Sequence, residues 1–215
     1  GDALASGPTP AASHGVLARI NAGKADWVQT GVPASDAAAG VTALALGQDG
    51  VTSVLSQRKS STSAGGLFST TYGIARFGDD GAWLTDLTLS TEYASGDAAA
   101  LRVTADGGAV LAGILDEDRG GHERLLLRQV PSDGAEGWAF TLPFAGYAPT
   151  VELDRESGRV YTLSQAGVAV VDADGVSCRQ YALPDGEKAG LLAVAAPYLY
   201  VWVDGEIRRY RLPEE

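Results

Sequence analysis

Apolar positions along this chain fall in short runs rich in Val, Leu, Ile and aromatics, separated by polar turn signals. Asp-Gly recurs at Asp49-Gly50, Asp80-Gly81, Asp106-Gly107, Asp133-Gly134, Asp174-Gly175 and Asp204-Gly205. Short apolar runs bounded by such pairs read as β-strands joined in hairpins. A two-residue hairpin turn needs positive φ, which Gly adopts without steric penalty and Asp adopts better than most residues. Almost no segment sustains a 3.6-residue period, so very little helix is expected.

The hairpins alternate between two kinds. The first is "VTALALGQDGVTSVLSQ" (41–57), echoed by "ALRVTADGGAVLAGIL" (100–115), "PTVELDRESGRVYTLSQ" (149–165) and "GLLAVAAPYLYVWV" (190–203). The second is "YGIARFGDDGAWLTDLTL" (72–89), echoed by "GVLARINAGKADWVQTGV" (15–32), "RLLLRQVPSDGAEGWAFTLP" (124–143) and "GVAVVDADGVSCRQYALP" (167–184). Taken in order they make antiparallel four-stranded units at about 41–90, 100–144 and 149–184, with a half unit at 15–32 and a three-stranded set at 190–212. The two incomplete ends are complementary, although "EIRRYRL" supplies a third strand where sharing one unit needs only two.

Four-stranded units repeated along a chain are what a β-propeller requires, each unit being a blade packed face to face on its neighbours. The second hairpin carries a periodic phrase: an apolar strand with Arg19, Arg76 or Arg128, then a turn, then Trp27, Trp83 or Trp138, with Cys178 in the matching place. This phrase resembles the blade repeats of bacterial extracellular and quinoprotein-like propellers, and the resemblance spans most of 15–212. It implies an all-β propeller domain over 15–213, for which the unit count suggests four blades, with five blades, a fragment of a larger ring, or closure by a second chain as the alternatives. A β-sandwich is the competing architecture, and it would not predict the repeated phrase. A blade inside a propeller is covered on both faces, so "AVLAGIL", "LLAVAA" and "YLYVWV" are expected to be buried on both sides.

Composition changes the picture in three places. The net charge of −11, from 27 acids against 16 bases, opposes nucleic acid and anionic membranes, which need clustered Lys and Arg. No apolar run approaches the roughly 18 residues of a membrane span. The opening "GDALASGPTPAASHG" is small and polar and resembles the tether that follows the lipidated cysteine of bacterial lipoproteins. Residues 1–14 are accordingly expected to be a tether, and the protein to be exported to the periplasm, outer membrane or cell exterior, with or without a lipid upstream of Gly1 as a membrane anchor. The 13 Arg against 3 Lys, with abundant Ala and Gly, fit a GC-rich bacterial coding bias.

Periodic residues are scaffold by their periodicity. Each Trp is expected to pack between sheets with its indole N–H on a backbone acceptor, and each Arg to lay its stem along the blade edge. Cys178, the single cysteine, reads as a small buried hydrophobe. Function is then expected in the connections that are not repeated, since long loops on a rigid scaffold are where binding resides. These are "RKSSTSAGGLFSTT" (58–71), "DEDRGGHER" (116–124) and "STEYASGDAAA" (90–100), which nominate Arg58, Lys59, Phe68, Tyr93, Asp116, Glu117, Asp118 and His122 as binding residues.

Those residues match no catalytic or metal pattern. Adjacent acids mixed with Arg119 and Arg124 lack the alternate acids, sixth-position Gly and late Glu of a calcium loop. "DADGV" (172–176) places acids alternately but sits between two strands and reads as a turn. With His14 in the expected tether, His122 is the histidine left for a triad, and no G-x-S-x-G elbow occurs. The sequence therefore favours a non-catalytic binding or scaffold domain with a protein or glycan partner and without cofactor or metal. The alternatives are a carbohydrate-active or quinoprotein-like enzyme with its site at the ring mouth, where paired carboxylates could be assembled across blades, and a structural subunit of a surface assembly.

Overall fold

The computed structural model describes residues 15–32, 39–47, 50–61, 68–91, 99–116, 123–144, 149–164, 167–183 and 189–212. The chain divides into two compact units, 1–97 and 98–215. Among the described residues there are strands and turns and no helix.

In the first unit, β1 (Gly15–Asn21) and β2 (Lys24–Val32) form a hairpin. There β3 (Ala39–Leu46), β4 (Thr52–Ser61), β5 (Phe68–Phe77) and β6 (Trp83–Thr91) form a four-stranded antiparallel sheet in chain order. The second unit holds two more sheets of that kind. One is β7 (Ala99–Val103), β8 (Ala109–Asp116), β9 (Glu123–Val130) and β10 (Ala139–Pro143). The other is β11 (Glu152–Leu153), β12 (Val160–Ser164), β13 (Gly167–Val171) and β14 (Cys178–Tyr181). A three-stranded sheet follows, made of β15 (Ala189–Ala195), β16 (Tyr198–Val203) and β17 (Glu206–Arg211). Simple up-and-down order is what β-branched and aromatic runs separated by tight turns give, because each strand pairs with the next one made.

The Asp-Gly turn at Asp204-Gly205 is the expected two-residue loop, while those at Asp80-Gly81 and Asp106-Gly107 differ from it in detail. At Gly78–Ala82 the Gly78 N–H donates to the Ala82 carbonyl at 2.8 Å and the Gly81 N–H to the Gly78 carbonyl at 2.9 Å. Three residues thus form the loop, and Gly81 alone takes a positive φ, +80°. Asp80 contributes through its carboxylate, whose Oδ1 accepts the Ala82 N–H at 2.9 Å. The same bonds recur at Thr104–Gly108, where Asp106 accepts the Gly108 N–H at 3.3 Å. In these two turns aspartate therefore serves as a side-chain acceptor, the Asx-turn role, and not at positive φ. Two-residue loops with both residues at positive φ occur at Ala22-Gly23 and Asp204-Gly205.

The second unit's core explains why its strands are apolar on both faces. Val160, Ala169 and Val171 of β12 and β13 pack with Val110, Ala112, Leu125 and Leu127 of β8 and β9. The alternate residues Tyr161, Leu163 and Val168 pack with Leu192, Leu199, Val201 and Val203 of β15 and β16. The sheet β11–β14 is thus covered on both sides, and every residue of β12 is buried. Fully burying one such side chain is worth roughly 1.5–3 kcal/mol, so these two interfaces dominate the unit's stability. Thr162, the polar residue inside this strand, is satisfied by donating to the Thr150 carbonyl. In the first unit, Leu17, Val54, Ala75 and Phe77 form a smaller cluster flanked by Trp27 and Leu44.

The sheet β15–β17 corrects the expectation for "YLYVWV". Leu199, Val201 and Val203 are buried, but the alternate face carries Leu191, Trp202 and Ile207, which are 62%, 42% and 75% exposed. One face of this sheet is core and the other is surface.

Candidate functional site

The periodic phrase is built into the scaffold. Arg19 and Trp27 stand opposite each other on β1 and β2 and both reach the β5–β6 turn. The Trp27 indole N–H donates to the Asp79 carbonyl at 2.9 Å. Arg19 donates to the same carbonyl at 3.2 Å and pairs with the Asp79 carboxylate, and Gln29 donates to the Gly81 carbonyl at 2.6 Å. The Trp27 ring lies so close over Gly81 that a Cβ there would come within 2.7 Å of it. In the second unit Trp138 covers Gly175 of the β13–β14 turn, with a would-be Cβ contact of 2.1 Å, but against expectation its buried indole N–H finds no acceptor among the described residues. These two hairpins thus each clamp the turn of another, which needs a flat indole on one side and a bare α-carbon on the other. Trp83 packs edge-on against Phe77 of its own hairpin, with ring centroids 5.4 Å apart.

Two carboxylates of the second unit, Glu152 and Asp172, are engaged with arginines. Glu152 accepts from Arg102 through both oxygens, with Nε to Oε2 at 3.2 Å. Asp172, in the turn formed by "DADGV", accepts from the Ser177 hydroxyl and lies 3.4 Å from Arg159 and 4.0 Å from Arg179. The Ser177 hydrogen bond, with both guanidiniums, holds its carboxyl below the usual range. Among the described residues, no group of three or more His, Cys, Asp or Glu is placed to hold a metal ion. Cys178 packs against the second unit's core, and burial pushes its thiol up, away from thiolate reactivity.

Of the residues nominated from the sequence, Tyr93, Glu117, Asp118 and His122 lie outside the described residues. The other four lie at strand ends. Arg58 pairs with Ala39 and Thr71, Lys59 with Thr70, and Phe68 with Ser61, so one hairpin end carries all three. Among the described residues, Ser60 and Ser61 of β4 pair with β5 alone, beyond the last partners on β3 and β6. Asp116 ends β8, opposite Glu123.

The most developed exposed surface among the described residues is one the sequence reading missed. Leu191, Trp202 and Ile207 are direct cross-strand neighbours on β15, β16 and β17. They make an apolar row across three strands, about 10 Å wide at the usual strand spacing. The Trp202 ring lies against Gly190, where a Cβ would meet it at 2.5 Å, so the indole is held down on the sheet. On the same face Tyr200 and Tyr198 continue along β16 with centroids 6.4 Å apart, and the Arg209 guanidinium sits 4.6 Å above the Tyr198 ring. The signal was the alternation Tyr198, Tyr200, Trp202, read as a buried strand because both of its faces are apolar.

No protein-family model and no curated protein sequence matches the chain. Among solved structures it is similar to BamB from Moraxella catarrhalis, with a TM-score of 0.54, 11% identity, and coverage of 97% of this chain and 61% of that one. It is also similar to a gluconolactonase from Xanthomonas campestris, at TM-score 0.49 and 16% identity over 94% of this chain and 69% of that one. A nidogen/laminin complex gives 0.43 and 11% over 94% and 87%. The chain spans less than two thirds of the BamB chain, and at this identity the likeness is one of fold. Consecutive four-stranded antiparallel sheets and this similarity together give the chain the β-propeller fold.

Proposed function

We propose that this chain is a non-catalytic binding and scaffold domain of an exported bacterial protein, and that its partner is another protein. The observation that carries the reading is the row Leu191, Trp202 and Ile207 on a sheet whose opposite face is core. Three contiguous large apolar side chains across adjacent strands are what the centre of a protein interface presents, with Tyr200, Tyr198 and Arg209 as its more polar flank. Aliphatic Leu191 and Ile207 on either side of Trp202 favour a protein over a glycan, which would meet aromatic faces flanked by hydrogen-bonding groups. The engagement of Glu152 and Asp172 with arginines favours a scaffold role for those acids over acid–base chemistry. Export rests on the composition of residues 1–14.

The end of the β4–β5 hairpin, with Arg58, Lys59 and Phe68, is a second contact region in this reading. Affinity capture from the native organism separates the two. The Trp202→Ser/Ile207→Lys variant is expected to lose a partner that wild type and Arg58→Ala/Lys59→Ala both retain. Loss with the Arg58/Lys59 variant alone would move the site to the loop end and overturn the open sheet face as the binding surface.

A further inference from the structure

Among the described residues the sheet β15–β17 ends one strand short of the four-stranded sheets. In each of those the third strand is paired on both sides: β5 with β4 and β6, β9 with β8 and β10, and β13 with β12 and β14. Strand β17, third in its own sheet, pairs with β16 alone among the described residues. The register fixes which way its backbone groups point. Val203 and Glu206 close the two-residue turn at Asp204-Gly205, so they exchange both of their hydrogen bonds, and every second pair along the ladder does the same. The Leu212 N–H, donating to the Pro197 carbonyl at 2.9 Å, continues that series. Ile207 and Arg209, which alternate with it, therefore turn their N–H and C=O groups away from β16, toward the edge. Both residues are exposed, and their side chains share the open face with Trp202 and Tyr200, their partners on β16. The edge and the open face are one continuous surface.

The side chains along this edge select its occupant. Three of the six residues of β17 are arginines, against one glutamate, in a chain of net charge −11. A second copy of the strand fits badly. In the antiparallel register that pairs most residues Arg209 would stand opposite Arg209, and like charges directly opposite are destabilising. An acidic segment reverses that term.

We infer that a partner protein adds an extended antiparallel strand to the β17 edge, with an acid opposite Arg209 and an apolar residue opposite Ile207. Read from its N-terminus the segment runs apolar, acid, any residue, apolar. Its first apolar residue stands opposite Tyr210, which packs with Leu212 against the core face of the sheet, and a cavity of about 370 Å³ borders both residues there. The inference rests on the open face as the recognition surface and states how the partner engages it.

The test is NMR of the full chain titrated with the peptide acetyl-Thr-Val-Glu-Thr-Val-Thr-amide. The Ile207 and Arg209 amides are expected to exchange readily with solvent in the free chain and to become protected as the peptide saturates. Glutamine in place of the glutamate is expected to weaken binding about twofold to fivefold, the worth of one cross-strand ion pair. Methylating the nitrogens of the glutamate and the second valine, which removes the N–H groups aimed at β17, is expected to abolish binding. Arg209→Glu is expected to reject this peptide and to accept one with lysine in place of the glutamate, a rescue that a folding defect would not give. Protection of the two amides in the free chain would overturn the inference, because the edge would already be occupied, and so would the absence of saturable binding. Equal binding of the methylated peptide, with shifts confined to Leu191 and Trp202, would overturn strand addition and leave the open face as a protein-binding surface. Protection of the edge by the peptide, with partner capture insensitive to Trp202→Ser/Ile207→Lys, would support strand addition and overturn only the open-face reading.

Discussion

The sheets β11–β14 and β15–β17 are neighbours in the chain with similar composition, yet they end in different situations. The first is core on both faces, through Val160, Ala169 and Val171 on one side and Tyr161, Leu163 and Val168 on the other. The second is core on one face and surface on the other, although "YLYVWV" is at least as apolar as "VYTLS". A strand's own pattern therefore reports that both faces can be covered and is silent about whether both are. A large apolar row left on a surface calls for a role, whereas the same row inside a stack is explained by packing.

Truncation on each sheet is the strongest way to break the comparison. Tyr161→Ala, in the covered sheet, is expected to cost about 3–5 kcal/mol in urea unfolding, from lost burial and the cavity left behind. Ile207→Lys, on the open face, is expected to stay within about 0.5 kcal/mol. Equal costs would mean that the open face is buried in solution.

The clamps come next. Gly175→Ala must place a Cβ against the Trp138 ring at a backbone φ of +69°, so a loss of about 2 kcal/mol or more is expected. Trp138→Ala in the same background should recover part of that loss by removing the clash, which a double-mutant cycle measures directly.

Covered positions should also differ from open ones in alkali. Burial pushes the Tyr72 phenol up to about 12 and the Tyr161 phenol in the same direction. Because the folded value is raised, the stabilisation is complete below the unfolded value near 10 and is lost as pH climbs toward 12. Tyr72→Phe, which deletes a buried hydroxyl without a partner, is expected to change stability little at pH 7 and to retain up to about 2–3 kcal/mol that wild type loses by pH 12. Identical pH profiles for the two proteins would place Tyr72 in contact with water.

Much of the fold was legible because tight turns and strand pairing are local. Each Asp-Gly pair within the described residues marked a turn, and the alternation of two hairpin kinds gave the four-stranded sheets. The role of Asp80 and Asp106 was misread because a side-chain acceptor and a residue tolerant of positive φ leave the same letters in the sequence. Periodicity correctly assigned Trp27 and Arg19 to the scaffold, but no spacing rule names Asp79, in the β5–β6 turn, as their partner. The site was less legible, since Leu191, Trp202 and Ile207 meet through strand register, and the cavity at Tyr210 arises from two sheets approaching each other. Neither property is written in one segment.

Site-specific photo-crosslinking in the native cell tests the central claim most directly. A photoreactive residue at 207, on the open sheet face, is compared with one at 176, which is equally exposed but sits in the β13–β14 turn region. A discrete protein adduct from position 207 and none from 176 is the predicted result. Adducts of equal yield from both positions, or from 176 alone, would contradict the assignment of the open face as the recognition surface.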